Sequence, residues 1–227
     1  IFQERSLNQL SSLKNNIMSK RIDYYYYNWG PYLWTTLLDE NIIDKLKFDG
    51  ERTKVDYTST LAGHLDSEFG YDSTTKEWFN IEMQDVLSVY RQGHCEFHGL
   101  ENLDVKYELV DMWINYMKPG DFNPTHVHSD DLSFVIFLDM PEEINKEIED
   151  FVGTSIPPGC LNFRYGIQSR PSWARTGVDV TPTTGAMYIF PSLLEHTVVP
   201  FKSDVTRISV SGNFRVINRD TLPDNYY

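Results

Sequence analysis

Three side chains that can bind a metal ion recur at every second position in the middle of the chain. They are His126, His128 and Asp130, in the segment Thr-His-Val-His-Ser-Asp. If this segment is extended, the three side chains leave the same face, about 6–7 Å apart for each neighbouring pair. Two neighbouring ligands of this kind can bind one small cation from one side. The spacing therefore predicts half of a metal site in this segment.

A second group of polar residues follows near the end of the chain. His196 stands at the start of a predicted strand, and Arg207, Ser209 and Ser211 share one face of the next one. An arginine that points into the interior of a small barrel needs an anion. Its planar fork fits a carboxylate through two hydrogen bonds, and the Ser209 hydroxyl can add a donor. The other interpretation is a surface arginine that pairs with Asp204.

Taken in order, these residues resemble the iron- and 2-oxoglutarate-dependent dioxygenases. Within that superfamily they look closest to the 2-oxoglutarate (2OG) oxygenases common in marine bacteria and their phages. The resemblance is carried by Trp113-Ile-Asn115, Pro119-Gly120, His126-Val-His128, the strand that begins at Ser133, His196 and Arg207-Ile-Ser209. It extends over residues 29–215. Three facial protein ligands with open positions are the arrangement of non-haem Fe(II) oxygenases.

This resemblance implies a double-stranded β-helix (jelly-roll, cupin-like) core and an enzyme that uses Fe(II), 2OG as cosubstrate and O2. Such an enzyme couples oxidative decarboxylation of 2OG to hydroxylation of a protein or peptide side chain, or of a small metabolite. The resemblance assigns cosubstrate binding to Arg207, Ser209, Asn115 and Ser133, and no catalytic residue beyond the metal ligands. For Asn115 the alternative role is to satisfy backbone groups near a bulge.

Two ligand sets are compatible with the sequence. Either His126 and His128 join His196, or His128 and Asp130 do, and the second set gives two histidines and one carboxylate. The first set leaves both charges of Fe(II) to be balanced by dianionic 2OG. We favour His126, His128 and His196, because the resembling family repeats this pair and because it closely follows the turn at Gly120. Asp130 stays the alternative ligand.

Two other functions compete with this interpretation. The spacing from Gly120 to His126-Val-His128 fits the opening of the cupin signature, which predicts a metalloprotein that does not use 2OG. However, the glutamate expected after this histidine pair is missing, and cupins have no need of Arg207 and Ser209. The alternative from another class is a jelly-roll binding module whose metal site has decayed.

The elements that must position these residues follow from the hydrophobic pattern. Residues 105–117 change from alternating to continuously apolar, which indicates a long strand that becomes buried. Further strands are expected at residues 24–27, 134–138, 161–165, 177–180, 185–190, 196–201 and 205–214. Helices are expected at residues 1–20, 32–46 and 78–90, and a solvated acidic insert at residues 142–150. This order predicts a mainly β fold with flanking helices against a sandwich or barrel.

Composition limits the remaining possibilities. The chain has 227 residues, of which 41% are hydrophobic, and a net charge of −13 that argues against nucleic acid and anionic membranes as partners. No secretory leader or membrane span is visible, and two cysteines are too few for a disulfide framework. We therefore expect a cytoplasmic protein, in the host cytoplasm if a phage encodes it, with a homodimer as the default oligomer. We predict one domain, with a helical and mixed support region over residues 1–104 and the jelly-roll core with the metal site over residues 105–217.

Overall fold

The framework of the protein is a pair of antiparallel β-sheets whose inner faces line one cavity. The computed structural model describes residues 10–17, 20–27, 30–101, 103–166 and 176–218. Its strands are β1 (Leu10–Ile17), β2 (Lys20–Tyr27), β3 (Trp34–Leu37), β4 (Val55–Asp56), β5 (Glu68–Gly70), β6 (Lys106–Met117), β7 (Asn123–His126), β8 (Leu132–Asp139), β9 (Leu161–Arg164), β10 (Gly177–Val180), β11 (Ala186–Pro191), β12 (Glu195–Val198) and β13 (Arg207–Ile217). Its helices are α1 (Glu40–Arg52), α2 (Ser73–Glu82), α3 (Gln84–His98) and α4 (Glu142–Glu149).

The strands divide into a large sheet and a small sheet. The large sheet has seven strands in the order β3-β11-β8-β13-β6-β5-β4, and the small sheet has four in the order β10-β9-β12-β7. Strands β1 and β2 form a separate antiparallel pair. The predicted mainly β architecture with flanking helices is confirmed.

The alternation of side chains along β13 explains how one strand serves both a core and a site. Val210 and Phe214 belong to the apolar core beneath the helices, whereas Arg207 and Ser209 are buried on the side that lines the cavity. Successive side chains of a strand point to opposite faces of its sheet. The register of β13 between β6 and β8 therefore fixes which polar groups enter the cavity.

Two apolar cores hold the sheets in place. The first joins the helices to the outer face of the large sheet, and its fully buried members include Leu46, Phe79, Met83, Leu87, Met112, Ile114, Phe134, Ile136 and Val210. The second lies between the sheets, and its members include Phe137, Leu161, Phe163, Phe190, Val198 and Phe201. Each such side chain contributes about 1.5–3 kcal/mol when fully buried.

Several elements of the first hundred residues differ from the prediction. The helix predicted over residues 32–46 is wrong at its start, because Trp34–Leu37 pairs with β11 as a strand and the helix begins at Glu40. The helix predicted over residues 78–90 is two helices that meet at Met83. The helix predicted over residues 1–20 is wrong for residues 10–17, which form β1, and the rest of that range is described only at residue 20. These segments are strands because each pairs with a neighbouring strand. The hydrophobic periodicity of one segment does not reveal such a partner.

The acidic insert predicted at residues 142–150 is also wrong in part, because most of it forms α4. Ile144 is fully buried in the core between the sheets, and the Glu147 carboxylate accepts hydrogen bonds from the backbone N–H groups of Lys202 and Ser203. The helix is therefore attached to the barrel by the buried side chain of Ile144 and by the hydrogen bonds of the Glu147 carboxylate.

The N-terminal region contributes directly to the large sheet. Strands β3, β4 and β5 add to its two edges, and β5 lies next to β6. The division at residue 104 stays a prediction. None of the helices in the described part of the chain is both long and apolar enough to cross a membrane.

Candidate active site

Three histidines converge from two neighbouring strands and the turn that follows one of them. His126 ends β7 and lies directly opposite His196 of β12. His128 follows two residues later, and its backbone N–H donates to the Ser192 carbonyl at 2.9 Å. One ligand atom from each imidazole lies within 4.8 Å of the others. The structure thus brings together the three histidines predicted as ligands.

Backbone carbonyls orient two of these imidazoles. Nδ1 of His126 lies 2.7 Å from the Pro124 carbonyl oxygen, and Nδ1 of His196 lies 2.9 Å from that of Leu194. A carbonyl oxygen only accepts, so in each ring Nδ1 carries the proton. The lone pair is left on Nε2, which is the arrangement that metal-binding histidines use.

The environment keeps the rings of His196 and His128 uncharged. Burial, and then the adjacent His126, lower the pKa of His196 to about 3 and the pKa of His128 to about 4. Both imidazoles are therefore neutral at pH 7, and a divalent ion needs neutral imidazole ligands.

Asp130, the alternative ligand, lies outside this group. Strand β7 ends at His126, so the alternation on which the prediction rested does not continue to Asp130. The Asp130 carboxylate instead lies 3.5 Å from the guanidinium of Arg215. Among the described residues, the cluster whose ligand atoms are close enough for one ion contains His126 and not Asp130.

Arg207 is a buried cation on the same cavity. It is only 4% exposed, Nη1 donates to the Gly159 carbonyl at 2.8 Å, and the Phe137 ring lies 5.6 Å from the guanidinium carbon. Within the described ranges, Nε of Arg207 has no hydrogen-bond partner. None of the ion pairs formed there joins Arg207 to Asp204 or to another carboxylate. Burial lowers the pKa of Arg207 to about 10, so the side chain stays charged at neutral pH.

A row of side chains crosses the inner face of the large sheet beside Arg207. Phe137 pairs with Ser209, Ser209 with Asn115, and Asn115 with Glu68. The Asn115 amide nitrogen donates to the Ser209 carbonyl at 3.4 Å and to the Ser211 hydroxyl at 3.2 Å. Ser209 and Asn115, both predicted to bind the cosubstrate, therefore line the cavity together.

Ser133, the remaining predicted cosubstrate contact, lies apart from the cavity lining. Its hydroxyl donates to the Asn213 side chain at 2.8 Å and lies 2.9 Å from the Ser192 hydroxyl. The same Ser192 holds the backbone of His128 through its carbonyl. In the structure Ser133 therefore contacts the residue that holds the histidine turn, and its role in cosubstrate binding stays a prediction.

One cavity contains all of these groups except Ser133 and Asp130. It holds about 700 Å³ of space free of protein atoms, a figure that includes its open mouth. Two polar lining residues were missed from the sequence, namely Glu68 and Asn123. No local pattern pointed to them, because a buried glutamate in a three-residue strand contradicts the usual hydrophobic alternation.

Comparisons with known proteins agree with this geometry. Residues 111–213 match the family described as "Putative 2OG-Fe(II) oxygenase", a range that spans β7, β8, β12, Arg207 and all three histidines. No curated protein matches the chain.

Several solved structures share the fold. A prolyl-4-hydroxylase from Pseudomonas putida has 16% identity and a TM-score of 0.50, with 81% of this chain and 91% of that chain covered. The viral collagen prolyl hydroxylase of Paramecium bursaria Chlorella virus-1, solved with 2OG, has 15% identity and a TM-score of 0.50, with 82% and 96% covered. HygX from Streptomyces hygroscopicus, solved with nickel, 2OG and hygromycin B, has 9% identity and a TM-score of 0.53, with 81% and 82% covered. The predicted double-stranded β-helix is confirmed.

Proposed function

We propose that this protein hydroxylates its substrate at an Fe(II) ion held by His126, His128 and His196, with 2OG as cosubstrate, because residues 111–213 match the 2OG-Fe(II) oxygenase family. The chain is an enzyme of that family. The ligand set, the cosubstrate contacts and the hydroxylation of a particular substrate are the parts we propose.

The observation that carries the proposal is the unpaired guanidinium of Arg207 in the same cavity as the three imidazoles. A buried charge without a counter-ion is costly, and an anion supplied by a ligand removes that cost. 2OG offers a carboxylate at each end. One carboxylate can bind at Arg207 through Nε and at the Ser209 hydroxyl, while the keto-acid end is directed towards the histidines.

The histidine group fits a ferrous ion in chemistry. The three ligands of a facial set with bonds of about 2.1 Å would lie about 3 Å apart, so the imidazoles, whose ligand atoms lie within 4.8 Å of one another, would have to move closer together on binding. Three neutral ligands leave the ion with both its charges, which dianionic 2OG balances. When bound, Fe(II) with O2 supplies the oxidising chemistry that converts 2OG to succinate and CO2 and a substrate C–H group to C–OH.

The chain's own residues supply orientation and a dry environment. The carbonyls of Pro124 and Leu194 fix two imidazole tautomers, and the Gly159 carbonyl fixes the guanidinium. The apolar side chains of Phe137 and Phe190 line the cavity and are almost fully buried. They exclude water and so strengthen the charge interaction between Arg207 and a bound carboxylate.

Release of succinate from 2OG under Fe(II) and air tests the proposal. We expect the wild type to release succinate and Arg207→Ala to need a 2OG concentration on the order of 100-fold higher, the effect of losing about 3 kcal/mol of charge-assisted hydrogen bonding. Arg52→Ala is the matched control, because this arginine is exposed at the end of α1 and lies outside the cavity lining. Equal 2OG requirements in all three proteins would contradict the proposal.

A cupin-type metalloprotein is separated from this function by its response to the cosubstrate. Such a protein would bind Fe(II) through the same histidines but would not bind 2OG. A binding module with a decayed site would fail to take up stoichiometric metal. Arg207 disfavours both alternatives, because neither has a use for a buried, unpaired cation.

A further inference from the structure

Three buried oxygen atoms on one side of the cavity lack hydrogen-bond donors. They are Oε2 of Glu68, Oδ1 of Asn115 and Oδ1 of Asn123, and in the part of the chain that the structure describes none of them has a partner. Glu68 is 1% exposed and Asn115 is 5% exposed. All three residues line the cavity. Unpaired buried acceptors cost about 1–3 kcal/mol each, so their accumulation here indicates a missing donor.

A flip of the Asn115 amide, which would exchange its oxygen and nitrogen, cannot supply the missing donor. Its nitrogen donates to the backbone carbonyl of Ser209, and a carbonyl can only accept. The amide oxygen must therefore point away from Ser209. Asn115 thus adds an acceptor, and not a donor, to the cavity.

The three residues lie close to one another. Glu68 lies directly opposite Asn115 in the pairing of β5 with β6, a position at which Cβ atoms are about 4.5–5.5 Å apart. A Cβ atom added at Gly63 would meet Oδ1 of Asn123 and lie 3.2 Å from Oε1 of Glu68. The same point lies 2.8 Å from Cδ1 of Leu65. The side chains of Asn123 and Glu68 therefore both approach the backbone of Gly63, which leaves no room for a side chain there. We call Glu68, Asn115 and Asn123 the acceptor corner.

The electrostatics of this corner favour a cation. Burial, followed by the negative charges of Asp121 and Asp56, raises the pKa of Glu68 to about 7. The described ion pairs of the protein include none with Glu68. A cationic ligand would hold this carboxyl in its ionised form and would balance the nearby acidic groups.

We propose that the acceptor corner binds a primary ammonium group of the substrate, which makes an alkylamine, such as a lysine side chain or a free amino compound, the substrate class. An ammonium group carries three N–H donors and no acceptor, which matches three converging oxygens. This inference rests on the proposed oxygenase function, because it uses the same cavity.

The path from the corner to the histidines suits an aliphatic chain. Trp113 is two residues from Asn115 on the same face of β6, and its ring centroid lies 6.0 Å from that of His128. Met117 lines the cavity two residues on the other side. Methylene groups between the ammonium group and the metal would therefore contact apolar walls.

Anaerobic calorimetry on the protein loaded with Fe(II) and 2OG tests this inference without turnover. The probes are free L-lysine and the blocked tripeptide acetyl-Gly-Lys-Gly-amide, each compared with its norleucine counterpart, which lacks the ammonium group. We expect at least one lysine probe to bind 10-fold or more tightly than its counterpart. Binding of the tripeptide alone would indicate a lysine residue of a protein, and binding of L-lysine alone would indicate a small metabolite.

Three variants establish where the preference arises. Glu68→Gln, which keeps the shape but removes the charge, should abolish the preference for lysine. Gly63→Ala, whose added methyl group would displace Oδ1 of Asn123, should also abolish it. Glu77→Gln makes the same chemical change on the exposed surface of α2 and should keep it.

Two results would overturn the inference. One is a wild type that binds neither lysine probe better than its norleucine counterpart, and the other is a preference that survives in Glu68→Gln. The same samples report 2OG binding before any probe is added. Failure at that earlier step would count against the oxygenase proposal, whereas normal 2OG binding without a lysine preference would remove only the ammonium site.

Discussion

At the scale of single residues, the candidate site is prepared by groups that neither bind metal nor face the cosubstrate. The carbonyls of Pro124 and Leu194 fix the tautomers of His126 and His196. The Asp130 carboxylate pairs with the Arg215 guanidinium and lies outside the histidine cluster. A local pattern of His-x-His-x-Asp permits either histidine or aspartate as the third ligand. The choice depends on where β7 ends and on the partner of Asp130, and both depend on distant parts of the chain.

The two ligand sets make opposite predictions for two variants. With His126, His128 and His196 as ligands, Asp130→Asn should change Fe(II) affinity by less than about 3-fold, whereas His126→Gln should lower it by 100-fold or more, since loss even of a supporting group costs 10–100-fold. Anaerobic Fe(II) titration against a chromophoric chelator measures both affinities. The reverse order of effects would assign the ligand role to Asp130.

The metal-free protein should lose stability as the pH falls below the pKa of a free imidazole. The folded-state pKa values of His196 and His128, about 3 and about 4, lie below the ordinary value of 6.5. The unfolded chain therefore binds more protons between these values, and each histidine lowers the free energy of unfolding by at most about 1.4 kcal/mol per pH unit there. Urea unfolding at pH 7.5, 6 and 5 measures this slope.

His196→Gln is the matched comparison for that pH series. Without a titrating group at position 196, the variant should show a shallower loss of stability between pH 6.5 and 5 than the wild type. Parallel curves for the two proteins would mean that the His196 environment does not oppose its protonation.

At the scale of elements, the long central strands could be predicted, and so could β10 at an edge of the small sheet, whereas the short strands β3, β4, β5 and β7 could not. Strands β6, β8 and β13 carry long apolar runs because helices cover one face and the second core covers the other. Their inward polar residues, among them Arg207 and Ser209, interrupt the pattern at the site itself. Strand β5 has three residues, one of them a buried glutamate, and β7 contains a proline, so neither satisfies the rules that identify strands. Both are fixed by tertiary pairing.

Helix α4 and the turn at Gly159 form a support for Arg207. Gly159 has a φ of +68° and accepts a hydrogen bond from Arg207, and a Cβ atom there would lie 2.7 Å from a methyl group of Ile144. Ile144 is fully buried and cannot withdraw without opening a cavity. The position of the guanidinium therefore depends on a close approach between this helix and this turn.

Gly159→Ala should consequently impair stability and cosubstrate binding together. We expect the free energy of unfolding to fall by about 2–4 kcal/mol, of which the left-handed backbone alone accounts for about 1–2 kcal/mol. We also expect the Kd for 2OG to rise about 10-fold, because the carbonyl that orients Arg207 shifts. Urea unfolding and anaerobic 2OG titration measure the two effects.

Gly166→Ala provides the control, because Gly166 has a φ of +80° but its added Cβ would contact none of the described residues within 4 Å. It should show only the backbone part of the destabilisation and an unchanged Kd for 2OG. If both alanine variants behaved alike, the contact between Gly159 and Ile144 would have no role in holding Arg207.

At the scale of the whole molecule, the N-terminal region completes the barrel. Helices α1, α2 and α3 cover the outer face of the large sheet, and β5 brings Glu68 into the cavity wall. The sequence prediction treated residues 1–104 as a support for a core over residues 105–217. Because both regions share one apolar core, we expect this support to be required for folding.

A truncated chain of residues 105–217 should therefore fail to fold. Without the helices, the apolar outer face that includes Met112, Ile114 and Val210 would be exposed to water, and a face of this kind leads to aggregation. Circular dichroism during heating should show one cooperative transition for the full chain and none for the truncated chain. Cooperative melting of the truncated chain would establish residues 105–217 as an independent domain.

The most direct test of the proposed function is the stoichiometry of Fe(II) and 2OG binding, measured by anaerobic calorimetry on the wild type and on two variants. We expect one Fe(II) and one 2OG per wild-type chain, normal Fe(II) binding with greatly weakened 2OG binding in Arg207→Ala, and loss of both in His196→Ala. Wild-type protein that binds no Fe(II), or Arg207→Ala protein that binds 2OG as tightly as the wild type, would contradict it.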